Sequence, residues 1–109
     1  MECSIPSNYL TIIRKQAGAA GYDPAMLHLA DDGVHKAVIT DGRRNIKFGK
    51  LGMADYHLLK IAERANKVPK GEAEKRREAY LKRSAGIRGN WASNKFSPNN
   101  LARKILWNA

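Results

Sequence analysis

Apolar residues recur at helical spacing near the start of the chain, where Tyr9, Leu10, Ile13 and Ala17 share one face. Ser7 ahead of them suits a helix N-cap, and Gly18 and Gly21 supply a stop, so a short amphipathic helix over 7–18 is predicted. Asp23-Pro24 restarts the chain, and Met26 to Leu29, followed by Asp31-Asp32-Gly33, reads as a short strand entering a turn. From His35 to Phe48 the pattern alternates on either side of Asp41-Gly42, a pair suited to a tight turn with positive φ, which predicts a β-hairpin over 35–48. A two-residue or a four-residue loop places the same set inward: Ala37, Ile39, Ile46 and Phe48. Lys36, Val38, Thr40, Arg43, Asn45 and Lys47 then form the outer, solvated face.

Helical period returns in Leu58, Ile61, Ala62 and Ala65, giving a helix over about 54–66 that Pro69-Lys70-Gly71 breaks. Glu72 to Ala85 is rich in helix formers, with Ala73, Tyr80, Leu81 and Ser84 near one face. Glu72 with Arg76 and Glu78 with Lys82 are pairs in the favourable order. Phe96-Ser97-Pro98 reads as a helix start, Ser97 capping and Pro98 taking the first helical position, for a last helix over 98–107. The elements sum to an α+β fold: a small antiparallel sheet of two or three strands packed against about four short helices, in one domain over 1–109.

Size agrees with that expectation. A chain of 109 residues with 43% apolar content supports one modest core and leaves little room for a deep, dry catalytic pocket. Charge adds more. The net charge is +10, and residues 43–109 hold 17 basic and five acidic groups, for +12, while residues 1–42 hold three and five, for −2. Such a field attracts polyanions, and solubility alone does not require acidic groups to be so scarce over two thirds of the chain.

Candidate chemistry is sparse. Cys3 is the one cysteine, so no internal disulfide forms and a four-thiolate zinc site is excluded, which fits a reducing compartment. His28, His35 and His57 are isolated, no metal motif occurs, and no nucleophile lies in a triad-like context; no enzyme activity, cofactor or metal is expected. Asp31, Asp32, Asp41 and Asp55 could gather as a magnesium site, but turn chemistry accounts for the first three. Gly49-Lys50-Leu51-Gly52 matches the bare clamp of some RNA-binding domains in the wrong structural context, after a strand instead of between helices. No apolar run approaches the roughly 20 residues that span a bilayer, and no secretion signal is evident, so neither membrane nor export is expected.

The constellation with most content is Lys75, Arg76, Arg77, Tyr80, Lys82 and Arg83 on one helix, continued by Arg88, Lys95, Arg103 and Lys104. Basic groups neutralise phosphates while Tyr80 or Trp91 offers a stacking plane, the economy of sequence-tolerant nucleic-acid binding. Tyr80 and Trp91 read equally well as core residues.

The order Asp41-Gly42, Ile46, Phe48-Gly49, Asp55-Tyr56, Arg76-Arg77, Tyr80, Arg83, Trp91 and Ile105-Leu106-Trp107 resembles a family of small basic proteins of unassigned function encoded by DNA viruses. The resemblance covers residues 34–107, and the stretch Leu58 to Lys70 is longer here than the family pattern leads one to expect. It implies a nonenzymatic viral protein of the virion or of genome handling, in the virion or a reducing compartment of the host cell, and supplies no catalytic residues. The expected function is sequence-tolerant binding of DNA or RNA through Arg43, Lys47, Lys75, Arg76, Arg77, Tyr80, Lys82, Arg83 and Arg88, with no small-molecule substrate. The alternative is a minor capsid or cement protein whose basic face meets acidic patches of a coat protein, and a weaker third is a host-directed inhibitor.

Overall fold

The computed structural model describes residues 5–87, 89 and 91–109, and Arg88, expected above to contact phosphate, lies outside them, as does Cys3. The elements run α1 (Tyr9–Ala19), a short 3-10 turn (Pro24–Met26), β1 (Leu27–Leu29), β2 (His35–Thr40), β3 (Asn45–Lys50), α2 (Tyr56–Arg64), α3 (Glu72–Ala85), a second 3-10 turn (Trp91–Ser93), α4 (Pro98–Leu101) and a π-helical segment (Ala102–Leu106). The fold is α+β, a three-stranded antiparallel sheet in the order β1-β2-β3 with four α-helices.

α1 begins at Tyr9 after Asn8, with no side-chain cap, so Ser7 does not cap it. Its end is set by Gly21 at φ 92°: the Tyr22 N–H reaches back to the Ala17 carbonyl (2.9 Å) and the Gly21 N–H to Gly18 (3.2 Å), satisfying carbonyls the helix leaves open. Pairing of Thr40 with Asn45 leaves a four-residue hairpin loop, Asp41 to Arg44, in which Asp41 Oδ1 accepts from the Arg43 and Arg44 N–H groups. Those two donors hold the Asp41 carboxyl below its ordinary pKa.

Leu27, Ala37, Ile39, Ile46 and Phe48 are buried and share the core with Tyr9, Ile13 and Ala17 of α1, Leu58 and Leu59 of α2, and Leu101, Ile105 and Leu106. The outer hairpin face departs from expectation at Lys36, which is 2% exposed instead of solvated. The register sets Lys36 across from Gly49, whose φ is 76°. A Cβ on Gly49 would lie 2.6 Å from Leu106 Cδ1 and 3.3 Å from Lys36 Cβ, so the missing side chain is what lets the lysine stem and the C-terminal segment meet there.

Two further differences have local causes. The expected last helix over 98–107 starts as foreseen, with Ser97 Oγ accepting from the Asn100 N–H (3.2 Å), but after Leu101 it widens, and the Trp107 N–H bonds the Ala102 carbonyl five residues back (3.0 Å). Ile105, Leu106 and Trp107 are consequently buried in succession. On α3 the Glu72–Arg76 pair forms (2.8 Å), whereas Glu78 and Lys82 make no ion pair among the described residues; both are exposed, where such a pair is worth little.

Candidate nucleic-acid interface

α3 separates its cations by direction. Arg76, Ala79, Tyr80 and Arg83 lie along one side, spaced by three and four residues, and line a cleft of about 540 Å³ whose opposite wall is Lys36, Gly49, Lys50 and the segment Met53 to Asp55. Ala102, Leu106 and Trp107, brought together by the π turn, form its floor. Lys75 and Lys82 occupy the neighbouring solvent face, exposed and without a carboxylate partner among the described residues; the same holds for Arg83. Arg77 is turned away, its Nε and one terminal nitrogen donating to the Asn108 carbonyl (3.2 and 3.0 Å) and the other terminal nitrogen to Glu74 (3.0 Å). It ties α3 to the chain end.

Arg43 and Lys47 do not join this set. Arg43 lies in the hairpin loop, seven residues before Lys50, about 20 Å away along an extended strand. Lys47 Nζ lies 3.4 Å from Asp32, a carboxylate that also accepts from the Val34 and His35 N–H groups. Those backbone donors, His35 foremost, hold Asp32 well below the usual carboxylate range. Among the described residues no three His, Cys, Asp or Glu side chains cluster as a metal site, so Asp31, Asp32, Asp41 and Asp55 do not gather into one.

Each aromatic already has a partner within the chain. Tyr80 stacks on Trp107, with ring centroids 4.5 Å apart and an interplanar angle of 9°. Burial raises its phenol pKa above the ordinary value, against the opposing pull of Arg103 and Arg83. The Trp91 indole N–H donates to the Ile87 carbonyl (2.8 Å), and its ring carries the Arg103 guanidinium at 5.0 Å. Arg103 also donates to the Leu81 carbonyl (2.7 Å) at the end of α3.

Beside the cleft lies a cluster that sequence reasoning missed. Asp55 caps α2, its Oδ1 accepting from the Leu58 N–H (2.9 Å), while its Oδ2 accepts from Lys36 Nζ (3.0 Å) and from the Tyr9 hydroxyl. One carboxylate, 1% exposed, thus joins α1, β2 and α2. Burial, then the charge of Asp55 and the hydrogen bond to it, push the Tyr9 phenol pKa far above its ordinary value, so it remains a donor. A signal for Asp55 was present: a residue type that caps helices stands directly ahead of a helical pattern. Nothing in the sequence marks Lys36 as its partner.

A second groove, about 420 Å³, runs between α1 and α2 and carries Lys15, Lys60 and Arg64 without any acidic lining residue. The donor-rich, carboxylate-poor surfaces are suited to binding anions. Among the described residues no helix is long and apolar enough to cross a membrane. Comparison with protein-family models, with curated proteins and with solved structures returned no match.

Proposed function

We propose that this protein binds nucleic acid without sequence preference, as a nonenzymatic viral accessory protein of the virion or of genome handling, using the exposed face of α3 and the rim of the cleft beside it. The observation that carries the reading is the set of exposed cations, Lys75, Lys82 and Arg83, that meet no carboxylate among the described residues, on a helix whose neighbouring wall contributes Lys50. Cations left unpaired keep their full attraction for phosphates, and their contacts carry no base information. The order of residues that resembles the viral family supports the assignment to a virus.

The working face is narrower than the sequence suggests. Lys47 is already occupied by Asp32 and Arg77 by Asn108 and Glu74, so the hairpin loop and the inner side of α3 contribute little. Replacing Lys75, Lys82 and Arg83 together by Gln lowers affinity for a generic single strand at low salt by at least about tenfold, consistent with three lost phosphate contacts. Replacing Arg43 and Lys47 by Gln leaves it within about twofold. Wild-type affinity in the first variant, or an equal loss in the second, refutes the placement.

A further inference from the structure

The cleft beside α3 holds more hydrogen-bond donors than the chain itself uses. Lys36 lines its wall while 2% exposed, and of the three N–H donors on its ammonium one goes to Asp55, the one acceptor it has among the described residues. The remaining donors of this buried ammonium have no acceptor among the described residues, a costly arrangement that a bound anion would complete. Lys50 and Arg83 line the same space with no carboxylate partner among the described residues. Arg76 commits its Nε to Glu72 and leaves its terminal nitrogens without an acceptor among the described residues. The Tyr80 hydroxyl likewise has no partner among the described residues.

Charge and shape both narrow the ligand. The lining has four cationic side chains, Lys36, Lys50, Arg76 and Arg83, against one carboxylate, Asp55, whose oxygens are already taken by Leu58, Tyr9 and Lys36. That excess suits a dianion better than a monoanion, and two guanidinium groups favour the planar bidentate recognition of phosphate oxygens. The rest of the lining, including Met53, Leu106 and the Tyr80–Trp107 stack, is apolar and suits a flat organic body. A volume of about 540 Å³ lies in the range of small-ligand sites.

We propose that the cleft binds a nucleotide unit bearing a phosphate monoester, with Lys36, Arg76 and Arg83 on the phosphate and Met53, Leu106 and the aromatic stack against the nucleoside. The site rests on the reading that α3 faces nucleic acid, and its ligand has two sources: the terminal nucleotide of a strand or a free nucleoside monophosphate.

Calorimetric titration of the full chain with three probes tests it: a short strand with a terminal phosphate, the same strand with a terminal hydroxyl, and a nucleoside monophosphate. The phosphorylated strand is expected to bind at least about tenfold more tightly than the hydroxyl strand, as a gained charge-assisted contact implies. Arg83→Gln should cut that preference to within about twofold, while Lys67→Gln, an exposed lysine outside the lining, should preserve it. Binding of the nucleoside monophosphate alone, abolished by Arg83→Gln, supports the cleft site with a free nucleotide as its ligand and overturns the nucleic-acid reading. Equal binding of both strands with no binding of the monophosphate overturns the cleft site and leaves that reading standing. Failure of all three probes overturns both.

Discussion

Asp55→Asn tests the buried carboxylate, because the amide keeps an oxygen for the Leu58 N–H but puts an N–H donor where Lys36 and the Tyr9 hydroxyl now share an acceptor oxygen. At 2% exposure Lys36 cannot turn to water, so the variant leaves an uncompensated ammonium in the interior, at a cost of about 3–5 kcal/mol. Lys36→Met keeps most of the stem over Gly49 and leaves Asp55 with the Tyr9 hydroxyl and the Leu58 N–H as donors. Each hydrogen bond to a charged group retains about 1.5–3 kcal/mol, so this variant should lose less, on the order of 2 kcal/mol. Combined, the two substitutions leave a neutral pair, and the double variant should be more stable than the sum of the single losses by about 2–3 kcal/mol. Urea unfolding followed by far-UV circular dichroism, with the slope compared across variants, measures the cycle. Losses that add within about 0.5 kcal/mol refute the buried pair as the link between β2 and α2.

Three further outcomes follow from single residues. Tyr9 has a folded-state pKa raised above the ordinary value of 10.0, so its stabilisation is complete below that pH and declines as rising pH ionises the unfolded chain. Tyr9→Phe should therefore flatten the alkaline limb of a stability profile, and an unchanged limb counts against the Tyr9–Asp55 bond. Asp32, held low by the His35 and Val34 N–H groups, stabilises the fold above the ordinary carboxylate range and loses that contribution as pH falls below it. Asp32→Asn should weaken the acid dependence of the melting temperature, and a wild-type acid limb contradicts the assignment. Gly49→Ala places a methyl group 2.6 Å from Leu106 Cδ1 at φ 76°, and overpacking plus backbone strain should cost at least about 2 kcal/mol by chemical denaturation. A loss under about 0.5 kcal/mol shows that Leu106 yields freely.

Elements whose information is local were legible in the chain. The Glu72–Ala85 helix, the hairpin around Asp41-Gly42 and the Ser97 cap each follow from propensity, turn chemistry or capping within a few residues. Features that need two distant segments were not. Lys36 reads as a solvated strand residue because alternation assigns it outward; its burial depends on Gly49 across the hairpin and on Asp55 of the next loop. The π turn after Leu101 is set by packing, not by a residue type, so Leu101, Ile105 and Leu106 looked like an ordinary helical stripe. For the interface, the basic character of α3 was plain, but period alone could not tell that Arg77 turns to the Asn108 carbonyl while Arg76 and Arg83 open on the cleft. Tyr80 stood evenly between stacking residue and core, and its stack on Trp107 places it in a wall shared by both.

The central claim is that Lys50, Lys75, Lys82 and Arg83 present a surface for phosphates. Its most direct test is the affinity of the full chain for a generic single-stranded oligonucleotide, followed by fluorescence anisotropy across a salt series. Four neutralised phosphates at about 0.7 each give an expected slope of log K against log salt near −2.8. A slope indistinguishable from zero, or no binding at the lowest salt, contradicts the account.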